Sequence, residues 1–454
     1  MKNKLLILLI AIQSIGFAQN SLNVSVHSNW KATPLLNDNS FNTYNEVWGY
    51  AANGREYAIM GSILGAHFID ITNPTNPVEV DFELGGASGS FVVHRDYHNY
   101  GQYLYAVCDQ GNTSSLQIFD MSFLPDSVHK VYDSDALFTN SHNIFIDTAT
   151  AKLYVCYARK LGTSLNGNVA IYSLANPVNP TYLGFINETA HDVYVKNDTV
   201  YLNNEGKGQY FFDATNPTNI QLLGFLGNYP DKGYNHSGWL DDDGKHYYFA
   251  DETHGMQMKS VDVSNFNNLL VLDKFGATYS NTSIVHNLIS KGDFLYVSHY
   301  YDGLRIYNTS DPSDVTVAGY YDTYLGPNAA SFKGLWGVYP FLPSGNVIGS
   351  DMQEGLWVFD VSLITTGISS NKLYERISVY PNPAKNSINL TNPDQVDLEG
   401  YQIFDMKGSL VDSGQLAFGQ NQIDLSDQIQ DGVYLLRLFN QNESTRIKIV
   451  KSAN

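Results

Sequence analysis

From about residue 44 onward, short apolar stretches alternate with gaps rich in Asn, Asp, Gly and Pro, and the alternation repeats. The clearest unit runs HDVYVKND (191–198), TVYLNN (199–204), GQYFFDATNPTN (208–219) and QLLGFLG (221–227). Val, Tyr, Phe and Leu fill the stretches, which predicts four short strands, and the polar gaps predict tight turns. The third-strand phrase recurs as HFIDITNPTNP (67–77), LQIFDMSFLP (116–125), VAIYSLANPVNP (169–180), MKSVDVSNFNN (258–268), LRIYNTSDPSD (304–314) and LWVFDVS (356–362). Its Asp-x-x-x-Pro ending has a physical reason: Asp bonds the turning backbone, and Pro cannot continue a central ladder.

Each unit opens on an anchor residue: Trp48, Arg95, His142, His191, His236, His286 and Trp336, spaced 45 to 50 residues apart. Four strands in a repeat of about 40–50 residues is the β-propeller signature. The expected fold class is therefore all-β, a seven-bladed β-propeller followed by a small C-terminal β-sandwich. The seventh repeat lacks a fourth strand. LNVSVHSNW (22–30), ahead of the first repeat, is expected to supply it and close the ring, removing the sheet edges that invite aggregation.

The two ends read differently. Lys2 and Lys4 precede the apolar run LLILLIAI, then Gly16-Phe17-Ala18, which predicts a signal peptide over 1–18 cleaved after Ala18. No later apolar run is long enough to span a bilayer. The 454-residue chain carries a formal charge of −19, and removing 1–18, with two lysines and no acid, gives −21. That argues against a nucleic-acid partner, whose phosphates need clustered Lys and Arg. Cys108 and Cys156 occupy matching places in neighbouring repeats and are expected to be buried, unpaired thiols. The propeller is expected over 19–364 and a Ser/Thr/Gly-rich linker over 365–375. Short alternating strands over 376–454 predict the sandwich.

Two resemblances rest on specific residues. YPNPAKNSINL, IFDMKGSLV, DGVYLLRLF and the closing IKIVK resemble the type A sorting domain of the Bacteroidetes type IX secretion system, over about 376–454. That implies the type IX machinery as a partner, passage across the outer membrane, removal of this domain, and release or surface attachment. EVWGY (46–50), EYAIMGS (56–62), FIDITNPTNP (68–77), RDYHNYGQYLY (95–105), HNIFID (142–147), HDVYV (191–195), ADE (250–252) and YYDGLRIYN (300–308) resemble the LVIVD-repeat, choice-of-anchor B family of bacterial surface proteins. This implies a propeller but no particular activity.

In a propeller the first strand of each blade lines the central channel, so the anchors are expected around one mouth. The antiparallel second strands end there too, bringing Asp109, Glu205, Asp251, Glu252, His299 and Asp351. His142, His191, His236 and His286 are the candidate metal ligands; imidazole with carboxylate suits a transition metal, and the acidity admits Ca²⁺. Asp192, Glu205 and Glu252 are candidate ligands or bases, and Arg95 a candidate holder of an anionic group. Against this stands a purely structural ring, in which the anchors cap strands and pack on the next blade.

His94 and His98 share a strand face at about 13 Å, too far for one metal. Asp241-Asp242-Asp243-Gly244 reads as a hairpin turn without the spacing or closing Glu of an EF-hand. The 32 Tyr fill sheet faces or stack on sugars. DSV (126–128), DTA (147–149) and DTV (198–200) are similar to the Bacteroidetes O-glycosylation triplet. Two functions follow: a surface binding protein for a protein, glycan or small ligand, or a metal-dependent hydrolase, lyase or oxidase at the mouth.

Overall fold

The structure is a computed structural model. It describes residues 21–32, 37–38, 42–111, 114, 116–276, 282–324, 326–365, 377–391, 398–405, 410–417, 419, 422–425, 429–439 and 444–452. The expected signal segment and residues 366–375 of the expected linker lie outside them. The chain divides at Ser362/Leu363 into two units.

The first unit holds seven antiparallel sheets among the described residues, spanning 44–84, 96–134, 144–189, 192–226, 235–275, 288–321 and 335–360. Within each, consecutive strands pair in order, as in Asp192–Lys196, Thr199–Asn204, Gly208–Asp213 and Gln221–Leu226 of the fourth. The innermost strands touch one another in succession, and the seventh (Leu335–Tyr339) touches the first (Tyr44–Ala52), so the sheets form a closed ring. This is a β-propeller. Its N-terminal segment divides between two sheets. Ser21–Leu22 edges the sixth, while Ser25–Trp30 is the outer strand of the seventh, pairing antiparallel with Gly355–Asp360.

The apolar core lies between sheets. Tyr57, Ile59 and Phe68 of the first pack with Tyr97, Leu104 and Phe119 of the second, and comparable clusters fill five further interfaces. Because both faces of a middle strand are covered, REYAIMGS (55–62) is apolar on both sides. The third-strand turns close as their residues require. The Oδ1 atoms of Asp70, Asp120, Asp213 and Asp262 each accept the backbone N–H two residues on at 2.9 Å, at Thr72, Ser122, Thr215 and Ser264. Cys108 and Cys156 are buried and unpaired.

The second unit contains a three-stranded sheet (Ser378–Tyr380, Ser387–Thr391, Gln422–Asp424) and a four-stranded sheet (Gly400–Asp405, Leu410–Gln415, Gly432–Phe439, Ser444–Lys451). Ile388 and Ile423 of the first share one buried cluster with Ile403, Leu436 and Leu438 of the second.

Candidate functional site

At one end of the channel six aromatic rings form a closed collar. Ring centroids are 3.9 Å apart for His94–His142, 4.1 Å for His142–His191, 3.9 Å for His191–His236, 4.6 Å for His236–His286 and 4.4 Å for His286–Trp336. Trp336–His94, at 5.8 Å, completes the circuit. The backbone explains the placement. The N–H groups of His142, His191 and His286 donate to the second strand of their own sheets, at Cys156, Asn203 and Ser298.

Most collar histidines are fixed through Nδ1. Asp109 Oδ2 lies 2.7 Å from His142 Nδ1, and Asp192 Oδ1 lies 2.8 Å from His191 Nδ1. His286 Nδ1 donates to the Trp336 carbonyl at 2.6 Å. Carboxylate and carbonyl oxygens only accept, so these three Nδ1 atoms carry the protons and Nε2 keeps a lone pair. Nε2 of His142 and Nδ1 of His94 and His236 are buried without a hydrogen-bond partner. Burial pulls His94 and His236 well below the usual imidazole range and His286 to about 3, with neighbouring imidazoles adding to this. Burial opposes charging His142 as well, but the Asp109 hydrogen bond and charge outweigh it and raise its pKa. His94, His191, His236 and His286 are thus biased toward the uncharged form and His142 toward the charged one.

Beneath the collar, Glu46, Asp96, Asn143, Asp192, Ser237 and Asn287 line a cavity of about 70 Å³. Glu46 accepts from Val47 N and from Asn287 Nδ2, and Asp96 from Ile144 N at 2.6 Å. Burial holds both carboxyls well above their usual range, and for Glu46 the Asp96 charge adds to it. Deeper still, Trp48, His98, Phe145, Tyr194, Trp239, Phe341 and Tyr339 close a second aromatic circuit, with neighbouring centroids 4.3–5.9 Å apart.

The four metal candidates, His142, His191, His236 and His286, are thus brought together. Their carboxylate neighbours create three compact donor groups: His94/Asp109/His142, His142/His191/Asp192 and His236/Glu252/His286, each with ligand atoms within 4.8 Å of one another. Glu252 Oε1 accepts from Tyr300 OH at 2.6 Å, and its Oε2 faces His236 Nε2 at 3.6 Å. Glu205 belongs to none of these groups and bonds Tyr234 instead.

Several expectations need correction. Arg95 does not hold an anionic group: it is buried, with Nε donating to Ser62 O and Nη2 to Ile63 O and Ala87 O. His94, set aside from the sequence as half of a strand pair, takes the collar position instead. Trp48 is out of register with the other anchors and sits in the deep aromatic circuit, while Glu46 joins the carboxylate layer. A bulge between Tyr44 and Val47 shifts that strand. No local pattern marks it. Asp251, His299 and Asp351 are also buried and engaged, with Lys259, Asp302 and Thr323 respectively. Asp241 and His246 bond at 2.7 Å across the expected hairpin turn, with Asp243 exposed beside them.

Residues 378–452 match the family model described as a secretion system C-terminal sorting domain. The chain therefore carries a type IX export signal, directing it to the cell surface or the extracellular space. No curated protein sequence matches the chain. Solved structures that are similar include a Lactobacillus plantarum protein (12% identity, TM-score 0.47, covering 85% of this chain and 99% of that one). A 6-phosphogluconolactonase candidate from Bacteroides fragilis is similar at 11% identity and TM-score 0.47, covering 85% of this chain and 98% of its own. The β-propeller domain of Swd1 from Myceliophteria thermophila is similar at 10% identity and TM-score 0.48, covering 70% and 97%.

Proposed function

We propose that the protein is an exported, seven-bladed β-propeller of LVIVD-like repeats that binds a small ligand at its histidine-collared mouth. In this reading residues 1–18 are a signal peptide, Ser25–Trp30 closes the ring, and 376–454 form a sorting β-sandwich removed after outer-membrane passage. One observation carries the binding role: the closed collar, in which buried ring nitrogens of His94, His142 and His236 have no hydrogen-bond partner. Buried polar atoms are normally satisfied, and clusters of exceptions belong to sites that complete themselves with a ligand.

The test is a thermal-stability panel on the full chain with inorganic phosphate, citrate, glucose, N-acetylglucosamine and Zn²⁺. At least one member is expected to raise the Tm of wild type but not of folded His191→Ala or His236→Ala. A panel that shifts nothing, or shifts that survive in both variants, would remove the mouth as the binding site.

A second reading, catalysis at the same mouth as a hydrolase, lyase or oxidase, is supported by Asp109 and His142. The carboxylate holds Nδ1 at 2.7 Å and leaves Nε2 unpartnered, the orientation a general base requires.

A further inference from the structure

We propose that His236, His286 and Glu252 together hold one divalent transition-metal ion; this rests on the mouth being the binding site and names what it binds. Among the described residues, the four groups able to offer a metal three ligand atoms are not equivalent. In His94/Asp109/His142 and His142/His191/Asp192 the carboxylate is already hydrogen-bonded to a histidine Nδ1, at 2.7 and 2.8 Å. There the acid orients the ring. In Asp241/Asp243/His246 the same holds for Asp241 and His246, and exposed Asp243 pairs with Lys245 at 2.9 Å. Only in the fourth group do acid and imidazole face each other without bonding.

The distances fit shared coordination. His236 Nε2 and Glu252 Oε2 are 3.6 Å apart, beyond a hydrogen bond. Donors at about 2.0–2.1 Å from a tetrahedral ion lie roughly 3.3–3.4 Å from each other. This pair would need a contraction of about 0.2–0.3 Å, and separations up to the 4.8 Å limit of the group a larger one. His236 is 1% exposed; Nε2 is the atom that faces Glu252, and Nδ1, on the other side of the ring, has no partner. His286 offers Nε2 because the Trp336 carbonyl holds its Nδ1–H, the outer-shell support that metal-bound histidines usually have. Tyr300 OH plays the matching role on Glu252 Oε1 and leaves Oε2 for the ion. All the ligand atoms lie within 4.8 Å of one another.

Two imidazoles and one carboxylate select borderline ions such as Zn²⁺, Co²⁺ or Fe²⁺ over Ca²⁺, which takes six to eight oxygens. Three protein ligands leave a fourth position open, the pattern of ions that act on a bound molecule.

The experiment uses the untagged full chain, stripped with chelator and titrated with Co²⁺, reading the visible absorption of four-coordinate cobalt and its loss to competing Zn²⁺. One equivalent is expected per chain. Glu252→Gln, which keeps shape and the Tyr300 contact, and His286→Ala are each expected to weaken binding at least tenfold. His246→Ala, in the hairpin turn outside the mouth, is expected to leave the spectrum unchanged, and near-ultraviolet circular dichroism checks that each variant is folded. No cobalt spectrum in folded wild type would overturn the metal site, while a phosphate, citrate or sugar response in the stability panel would leave the mouth standing as a binding site. Binding that survives Glu252→Gln and His286→Ala but is lost in His246→Ala would move the ion to the hairpin turn and overturn the assignment. A loss in His142→Gln as large as in Glu252→Gln would overturn the three-residue ligand set.

Discussion

At the scale of residues, buried charge separates what was legible from what was not. Lys259 and Asp251 are both 0% exposed and pair at 2.6 Å, and Tyr229 donates to the other Asp251 oxygen. Removing one partner strands the other charge without water. Lys259→Met is therefore expected to cost about 3–5 kcal/mol in urea denaturation; a cost under about 1 kcal/mol would refute that account. Asp351 allows a pH test. Burial raises its carboxyl to about 6, against the lowering effect of Thr323, Gln353 and Glu354 as donors. A carboxyl with a raised folded-state pKa binds its proton more tightly when folded. Its contribution is greatest at low pH and is lost as pH rises from the unfolded value toward about 6. Relative to wild type, Asp351→Asn should thus gain stability between pH 4 and 7, by about 3 kcal/mol. A gap between variant and wild type that does not change with pH would contradict it. The sequence put Asp251 and Asp351 at strand ends but not Lys259 or Thr323 beside them, because a Lys or Asp in a strand does not reveal which neighbour will cover it.

At the scale of elements, the turns were the most readable feature. Asp two residues before Thr or Ser accepts the same bond, N–H to Oδ1, after the third strand in five of the sheets. Replacing Asp213 by Ala should cost about 1 kcal/mol, measurable as a lower urea midpoint at unchanged slope. The outer strand of the seventh sheet comes from the opposite end of the unit: Trp30 lies opposite Leu356, and Asn29 opposite Trp357. Deleting residues 21–30 strips this ladder and exposes an edge. The expected consequence is a fall in Tm of about 10 °C or more, and an unchanged Tm would show that the strand contributes nothing. Register within an element was harder to read. The bulge at Tyr44–Val47 displaced Trp48 from the anchor series, and the irregular segment before the strand at Asp96 carries His94 in the collar and Arg95 on the carbonyls of Ser62, Ile63 and Ala87.

At the scale of the whole molecule, the sorting domain and the ring have separate tasks. Deleting residues 376–454 should leave the propeller in the periplasm, as followed by fractionation and surface proteolysis; normal surface display of the truncated protein would sink the export claim. Repetition made the architecture readable, because local alternation and turn chemistry are properties of neighbouring residues, and each unit states them again. The C-terminal signal was readable for the same reason, as contiguous phrases from YPNPAKNSINL to IKIVK. The sequence by itself therefore determined the strands, the turns, the repeat and the export route. Only the tertiary structure decided which side chains meet. Ring closure places His94 beside Trp336 and Glu46 beside Asn287, residues 242 and 241 positions apart. Within the fifth sheet, at the bulge between Asn235 and Ser237, His236 and Glu252 face each other without a hydrogen bond. Such meetings depend on bulges, bends and the closing of a circle, none of which is encoded in the spacing of any one repeat.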